Sequence, residues 1–407
     1  MKSFTLGFRN ILRNKRRTLL TLLAIVSGVT GIIVFGGFIE FAFHGLRELT
    51  IRTQLGHIQI YQAGYSEHGI ANPADYLIDE PKRVEATLMT LPNIAALTQR
   101  LSFSGLISNG NQTVTCKAVG VVPGREEEFS SFETILDGQQ LDESMNEGGV
   151  IGKDLANALN AGIGDYLTVL TTTLDGVINA VEFQVVGIAQ TGSQDYDSIF
   201  VKLPLPMVQR AMDTHSVEKI LIMLEDTEYL PVFLGPMKAA LDASGMDLEF
   251  KRWDELAFFY HKVVSLYRGM FDVIQVIIGV IVLFSIVNTM TMSVFERVRE
   301  IGTLRAIGTD RLGIMRLFLT EGLLLGIIGG ILGIFVGVLV ATMINLSGGI
   351  AIPAPPGMSR GYQSFILIIP EILLYGFILT VVVSVLSSIW PAWKASRIKI
   401  VEALAHT

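Results

Sequence analysis

Four stretches of this chain run for about twenty residues or more with no charge or with a single acid. They are Thr18 to Ile39, closed by Glu40; Val273 to Phe295, between Asp272 and Glu296; Gly322 to about Leu346, after Glu321; and about Phe365 to Ile389, with Glu371 near its start. A bilayer core roughly 30 Å thick needs about 20 apolar helical residues, so each stretch predicts a membrane-spanning helix. The first also has the basic front and apolar core of a signal peptide. Its apolar run exceeds the usual length of roughly 7–15 residues and no small-x-small site follows, so it reads as an uncleaved helix.

Between about His44 and Asp272 the pattern is too polar to span and changes to short alternating runs. Strand-like runs fall at 56–61, 102–108, 113–122, 166–172, 181–188 and 219–224. Helical runs lie among them at Pro81 to Leu91, Lys153 to Leu159, Leu205 to Met212 and Leu230 to Ala243, which ends near Gly245. The fold class that follows is an α-helical membrane protein of four transmembrane helices, with a large extracytoplasmic α/β domain of two lobes inserted between the first and second.

Composition agrees, because the 407 residues are 50% hydrophobic and only 17% charged, with a mean hydropathy of +0.50, where soluble domains carry about 25% charge. A purely soluble enzyme is excluded. Charge then sets an expected orientation: Lys2, Arg9, Arg13, Lys15, Arg16 and Arg17 precede the first span, five arginines lie between spans two and three, and Lys394, Arg397 and Lys399 follow span four. The loop between spans three and four holds only Arg360. The positive-inside rule places both termini in the cytoplasm. Residues 44–272 then lie outside, with 16 basic against 31 acidic residues. An acidic exterior argues against nucleic-acid binding, while the basic cytoplasmic rim suits membrane lipids.

No constellation for catalysis stands out. The single Cys116 excludes an intramolecular disulfide, and the six histidines are scattered without metal-ligand spacing. Acid groups such as Asp195 with Asp197, or Glu126 to Glu128, read as solvated loops. Gly148-Gly-Val-Ile-Gly-Lys153 looks like a phosphate loop but has Asp154 where a Ser or Thr is needed, so it reads as a strand turning into a helix.

The most informative segment follows span two. Glu296-Arg-Val-Arg-Glu-Ile-Gly-Thr-Leu-Arg-Ala-Ile-Gly308 predicts a short amphipathic helix, with Ile301, Leu304 and Ile307 spaced by three and Gly308 placed to end it. Glu296, Arg297, Arg299, Glu300 and Arg305 supply polar contacts. Such a helix either docks into a soluble partner or anchors the loop at the headgroups.

This segment resembles the coupling segment of the FtsX/MacB-type permease subunits of ABC transporters, including the lipoprotein-releasing (Lol-type) permeases. The basic start Phe8 to Arg17, the ending Pro391-Ala-Trp-Lys-Ala-Ser-Arg397 with Val401-Glu-Ala-Leu404, and Gly149-Val-Ile-Gly-Lys-Asp-Leu-Ala156 followed by Gly164-Asp165 carry the same resemblance. It implies a MacB-like periplasmic core, in which a flanking α/β lobe (44–121 and 216–272) holds an inserted, mostly β lobe (122–215). The remaining parts are a cytoplasmic amphipathic helix at 1–17, helices at 18–43, 273–295, 322–346 and 365–390, a coupling loop at 296–321, a periplasmic loop at 347–364 and a tail at 391–407.

It further implies a non-catalytic subunit that holds no cofactor itself and pairs with a second permease copy or relative and with ABC ATPase subunits that bind ATP and Mg. Glu296, Arg297, Arg299, Glu300, Ile301, Gly302, Leu304, Arg305, Ala306, Ile307 and Gly308 would couple to that ATPase. Its work would be to release lipoprotein or other lipophilic cargo toward the outer envelope, with a periplasmic chaperone or adaptor as a further partner. Leu55-Gly-His-Ile-Gln-Ile-Tyr61 looks like the Lol-type branch. MacB-like tripartite efflux of drugs, peptides or toxins, and FtsX-like signalling to a cell-wall hydrolase, remain the alternatives.

Two features concern the spans themselves. Gly322, Gly326 and Gly330 are spaced by four, as are Gly329, Gly333 and Gly337, which predicts close helix packing within the subunit or at a dimer seam. Phe35, Phe38, Phe41, Met270, Phe271 and Ile274 cluster near the outer ends of spans one and two, as a candidate cargo cleft for acyl chains. Glu40 and Glu371 read as interfacial charges, and Arg268 with Asp272 as an i,i+4 pair.

Overall fold

The computed structural model describes residues 15–69, 72–353, 361–400 and Ala403; most of the expected N-terminal amphipathic helix lies outside them. It divides into two compact units. One comprises Met1–His44, Val263–Ala351 and Gln363–Thr407, the other Gly45–Lys262 and Ile352–Tyr362.

The first unit is built on four long helices, Lys15–Thr50, Phe258–Glu296, Arg311–Leu346 and Pro370–Ser396. All four are long and apolar enough to cross a membrane. The first three contain the corresponding apolar run and extend well past it, while the fourth begins at Pro370, inside the run expected from about Phe365, because the chain from Phe365 to Ile369 is not helical. The second has 39 residues, nearly twice the bilayer requirement of about 20. Hydropathy marks only the part that lipid must surround, so the polar extensions did not register as helix.

Glycine decides how these helices meet. A Cβ on Gly322 would lie 1.8 Å from Ser388 Oγ, one on Gly326 2.8 Å from Ser384 Cβ, and one on Gly330 2.7 Å from the Phe377 ring, so this row faces the fourth helix. The other row faces the first: Cβ atoms on Gly329, Gly333 and Gly337 would come within 2.5 Å of Ile25, 2.6 Å of Val29 and 2.8 Å of Ile33. Both rows thus pack inside the subunit. On the fourth helix Ser388 Oγ donates to the Ser384 carbonyl at 2.7 Å and Thr380 Oγ1 to that of Gly376 at 2.8 Å, so both hydroxyls bond within their own helix. Gly28 brings the second helix in, with Ile278 and Val282 of that helix 3.0 and 3.2 Å from its Cβ position. At the far end of the third helix, the Asn345 amide accepts from the Ile366 N–H at 2.8 Å and donates to its carbonyl at 2.9 Å.

The second unit carries ten strands: β1 Ile58–Gln62, β2 Ile94–Ser108, β3 Thr113–Val121, β4 Thr134–Gly138, β5 Gly148–Gly152, β6 Tyr166–Thr172, β7 Ile178–Gln190, β8 Phe200–Pro204, β9 Lys219–Leu224 and β10 Leu248–Arg252. Their order is β10-β1-β9-β2-β3-β8-β5-β7-β4, and β6 pairs with both β2 and β7. Two lobes share β2. Its first half, through Arg100, pairs with β9 in an antiparallel sheet with β1 and β10. Its second half, from Leu101, pairs with β3 and, at Leu106–Ser108, with β6. The ring β2-β3-β8-β5-β7-β6 therefore closes on itself, which removes most of its exposed edges. The expected insert at 122–215 leaves out the outer half of β2 and β3, which the structure builds into this ring.

Helices Pro81–Leu88 and Leu230–Ser244 cover the first lobe with Val84, Leu88, Phe233, Met237 and Leu241. Lys153–Leu159 follows β5 directly, and Leu205–Met212 follows β8. One hydrophobic core runs through both lobes, from Ile58 and Ile60 to Phe183 and Leu203.

The packing of the spans gives the first prediction. Gly326→Leu and Gly333→Leu will each lower the unfolding temperature in detergent, since overpacking typically costs about 1–3 kcal/mol. Gly279→Ala, where a Cβ meets nothing within 4 Å, will leave the melting curve unchanged. Equal curves for all three proteins would show that the glycine rows bear no packing.

Candidate functional site

The segment after the second long helix folds as an elbow. The helix ends at Glu296, Arg297 breaks it with φ −112° and ψ 14°, and a second helix runs Val298–Ala306. The turn at Gly308 has φ +104°, a left-handed conformation that glycine adopts without strain. Asp310 then caps the third long helix through the Gly313 N–H at 2.8 Å.

The break is fixed from within. Arg297 is only 5% exposed; its Nη1 donates to Glu321 Oε2 at 3.2 Å and its Nε to Glu300 Oε2 at 3.1 Å. Its guanidinium also lies 5.5 Å from the centre of the Phe318 ring. Glu321, itself 6% exposed, stands on the third helix. A buried charge is tolerable only when paired and hydrogen-bonded, so this cluster holds the elbow to the bundle.

Helical periodicity then sorts the eleven expected coupling residues into two faces. Ile301 and Gly302 are buried, a Cβ on Gly302 would lie 2.6 Å from that of Ala403, and Arg305 Nη1 donates to the Ile398 carbonyl at 2.6 Å. Arg297, Ile301, Gly302 and Arg305, four of the expected coupling residues, thus make their contacts inside the chain. Leu304 is half-buried, packed against the bundle core. The outward face presents Arg299, Glu300, Thr303, Ala306 and Ile307, the last 79% exposed, with Glu296 and Gly308 at its ends.

The six expected cleft residues are partly gathered. Phe35 stacks on Phe38 at 6.3 Å and meets Phe271 at 5.6 Å, while Phe41 packs edge-on against Phe365 at 5.6 Å. Met270 points away and is exposed, and Ile274 is half-buried. Arg268, expected to pair with Asp272, instead lies over the Phe43 ring at 5.8 Å.

A second joint, at which the sequence pattern places no function beyond the resemblance of Leu55 to Tyr61, lies at the end of the first helix. After Thr50 the chain makes one wide turn, Ile51–Leu55, closed by Gly56 N–H to the Ile51 carbonyl at 2.8 Å. Gly56 has φ +64°, and a Cβ there would meet the Ile222 carbonyl at 3.1 Å and the Phe129 ring at 3.2 Å. The last carbonyls of the turn are satisfied by side chains of the sheet: Arg100 donates to Gln54 at 3.1 Å and Gln59 to Leu55 at 2.8 Å. Arg100 is also paired with Glu126 at 2.6 Å, and Thr98 donates to the same carboxylate at 2.9 Å. Arg100 and these bonds hold the Glu126 carboxyl below its usual range against the opposing effect of burial, which is the largest influence on it.

His57 completes the joint. It is fully buried; Nδ1 accepts the Leu224 N–H at 3.1 Å, so Nε2 carries the proton and donates to Thr227 Oγ1 at 2.9 Å. Thr227 in turn donates to Glu48 Oε1 at 3.2 Å. Burial pushes the His57 pKa down to about 4, with Glu48 opposing the shift. Protonation would also set a second N–H against that of Leu224.

Four helices long and apolar enough to cross a membrane, a buried ion cluster at the elbow after the second, and a two-lobed α/β domain between the first and second are the architecture of what the matching family models describe as a permease with a periplasmic core domain. The chain belongs to the FtsX-like permeases that carry a MacB-like periplasmic core domain: residues 273–400 match the family described as FtsX-like permease C-terminal, and residues 18–232, more than half of the chain, match the MacB-like periplasmic core domain. It is similar to the lipoprotein-releasing system transmembrane protein LolE of Haemophilus influenzae, 24% identical over 82% of this chain and 83% of that protein. It is also similar to the corresponding LolC of Xylella fastidiosa, 23% identical over 99% of this chain and 98% of that one. The macrolide export ATP-binding/permease protein MacB of Brucella abortus is 25% identical over 94% of this chain, which spans 57% of that protein. Among solved structures, the periplasmic region of MacB from Actinobacillus actinomycetemcomitans aligns at a TM-score of 0.38 and 15% identity, over 49% of this chain and 91% of that one.

Two outcomes test these joints. Arg297→Gln takes away the cation that faces the buried Glu321 carboxylate and will destabilise the protein by about 3 kcal/mol in detergent unfolding, while Arg297→Met with Glu321→Leu will recover most of the loss; an unperturbed single variant would mean the pair carries no weight. For His57, the unfolded chain binds a proton below about pH 6.5 and the folded one only near pH 4. Stability at β1 and β9 will therefore fall as pH drops from 6.5 to 4, by at most about 3 kcal/mol, and stay level with respect to this group above pH 7. Hydrogen exchange of those strands will show the slope, and His57→Gln will remove it.

Proposed function

We propose that this chain is the membrane subunit of a transporter in which separate ATPase subunits, binding ATP and Mg, drive movements of the α/β domain that release lipoprotein or other lipophilic cargo from the inner membrane. In this reading the termini and the elbow face the cytoplasm and the domain faces the periplasm, as the basic residues at 297–316 and 394–399 suggest. The observation that carries it is the division of the Val298–Ala306 helix into a face bonded to its own bundle and a face left exposed. A push on Arg299, Thr303 or Ile307 passes through Arg297 to Glu321 and so to the third helix, which both glycine rows lock to the first and fourth. The first helix continues through the His57 joint into the sheet. A second permease copy or relative completes the assembly, and a periplasmic chaperone or adaptor receives what is released.

The choice of lipoprotein as cargo rests on the Lol relatives, which match over 78–99% of the chain. Efflux through an adaptor and an outer-membrane channel is the second reading, supported by the similarity to MacB over 94% of the chain.

Arg299→Glu reverses the charge of an exposed side chain with no ion pair among the described residues. Co-purified with the ATPase, this variant will lose most of the permease-stimulated ATP hydrolysis, by about tenfold, while its melting temperature stays within a degree or so. Full stimulation would remove the elbow from the coupling role. In proteoliposomes, ATP-dependent release of a triacylated lipoprotein to a soluble acceptor separates the two cargo readings; its absence alongside a working ATPase favours efflux.

A further inference from the structure

The cytoplasmic-type end of the fourth helix carries two cations that the coupling role leaves unused. Lys394 Nζ lies 4.9 Å from the Phe295 ring centre and 5.3 Å from that of Trp390; the Arg397 guanidinium lies 4.1 Å from the Trp393 ring. Among the described residues no carboxylate pairs with either cation. The indoles are far from buried, Trp390 being 52% and Trp393 45% exposed, and they continue an exposed apolar strip of the same helix through Val382, Leu386 and Ile389.

We propose that this cluster is a binding site for an acidic phospholipid of the adjoining leaflet, its phosphodiester held by Lys394 and Arg397 and its acyl chains laid along Val382, Leu386 and Ile389. Indole rings settle where hydrocarbon gives way to headgroups, and the rings here hold both cations at that depth. A cation over an aromatic face keeps its charge and its outward N–H groups for a second partner, and the charge complement is a phosphate. The strip below is apolar and exposed on this subunit, so a lipid satisfies the cations and the strip at once. A protein carboxylate would satisfy only the cations. The inference depends on the spans alone and is independent of the cargo.

The chain has only three tryptophans, and the third, Trp253, is buried in the α/β domain. Fluorescence quenching by brominated lipid therefore reads the site in the full protein, with Trp390→Phe/Trp393→Phe supplying the baseline. In vesicles of mixed composition, brominated phosphatidylglycerol will quench with an apparent association about fivefold or more above brominated phosphatidylcholine. Lys394→Gln/Arg397→Gln will bring the two lipids to near parity without changing quenching by phosphatidylcholine. Because that variant can disturb the helix end, the wild type also serves: raising salt to 0.5 M will cut the preference at least about twofold. Parity of the two lipids in the wild type, a preference that survives the double substitution, or one indifferent to salt would each overturn the proposal.

Discussion

Everything in the membrane unit depends on how closely three helices approach. Two rows of glycine on the third helix, one toward Ser384, Ser388 and Phe377 and the other toward Ile25, Val29 and Ile33, remove the side chains that would hold the backbones apart. Water is absent there, so apolar burial gives no advantage over lipid, and contact must come from packing itself. The third helix is consequently fastened on two sides. An elbow anchored to that helix by a buried ion pair inherits its rigidity.

The elbow shows why a buried charge is worth retaining. A hydrophobic pair at Arg297 and Glu321 would pack without the cost of stripping water from two ions. What the pair adds is direction: Arg297 can satisfy Glu300, Glu321 and the Phe318 ring together only where the helix breaks, so the exposed face of Val298–Ala306 points one way. The His57 joint follows the same logic at the other end of the first helix. The Gln54 and Leu55 carbonyls at the end of the wide turn each find a donor from the sheet, and the neutral imidazole ties Leu224, Thr227 and Glu48 together. Both joints are held by buried polar side chains whose bonds fix the local geometry.

Much of this was legible in the sequence where a single period dominates. The four spans, helices 153–159 and 205–212 and strands 166–172 and 219–224 follow from hydropathy, and the spacing of the glycines showed both rows. Residues buried on both faces or lying at an edge were harder to read. Phe200–Pro204 is covered on both sides and shows no alternation, while Leu248–Arg252 is an edge strand with only two apolar residues among five. The division of the elbow into inner and outer faces escaped because Arg297 and Arg305 look like surface cations until Glu321 and the Ile398 carbonyl are placed beside them. His57 escaped similarly: its partners are a backbone N–H and a threonine far along the chain, which leave no local signature.

The central claim is that the exposed face of Val298–Ala306 meets the ATPase while its buried face does not. The native cysteine, Cys116, is buried in the α/β domain, so single cysteines can be placed on each face and cross-linked in membranes that also hold the ATPase. Cysteine at Thr303 or Ile307 should give an adduct of the mass of permease plus ATPase, and cysteine at Ile301 should give none. Adducts from Ile301 alone, or from no position on the helix, would contradict the account.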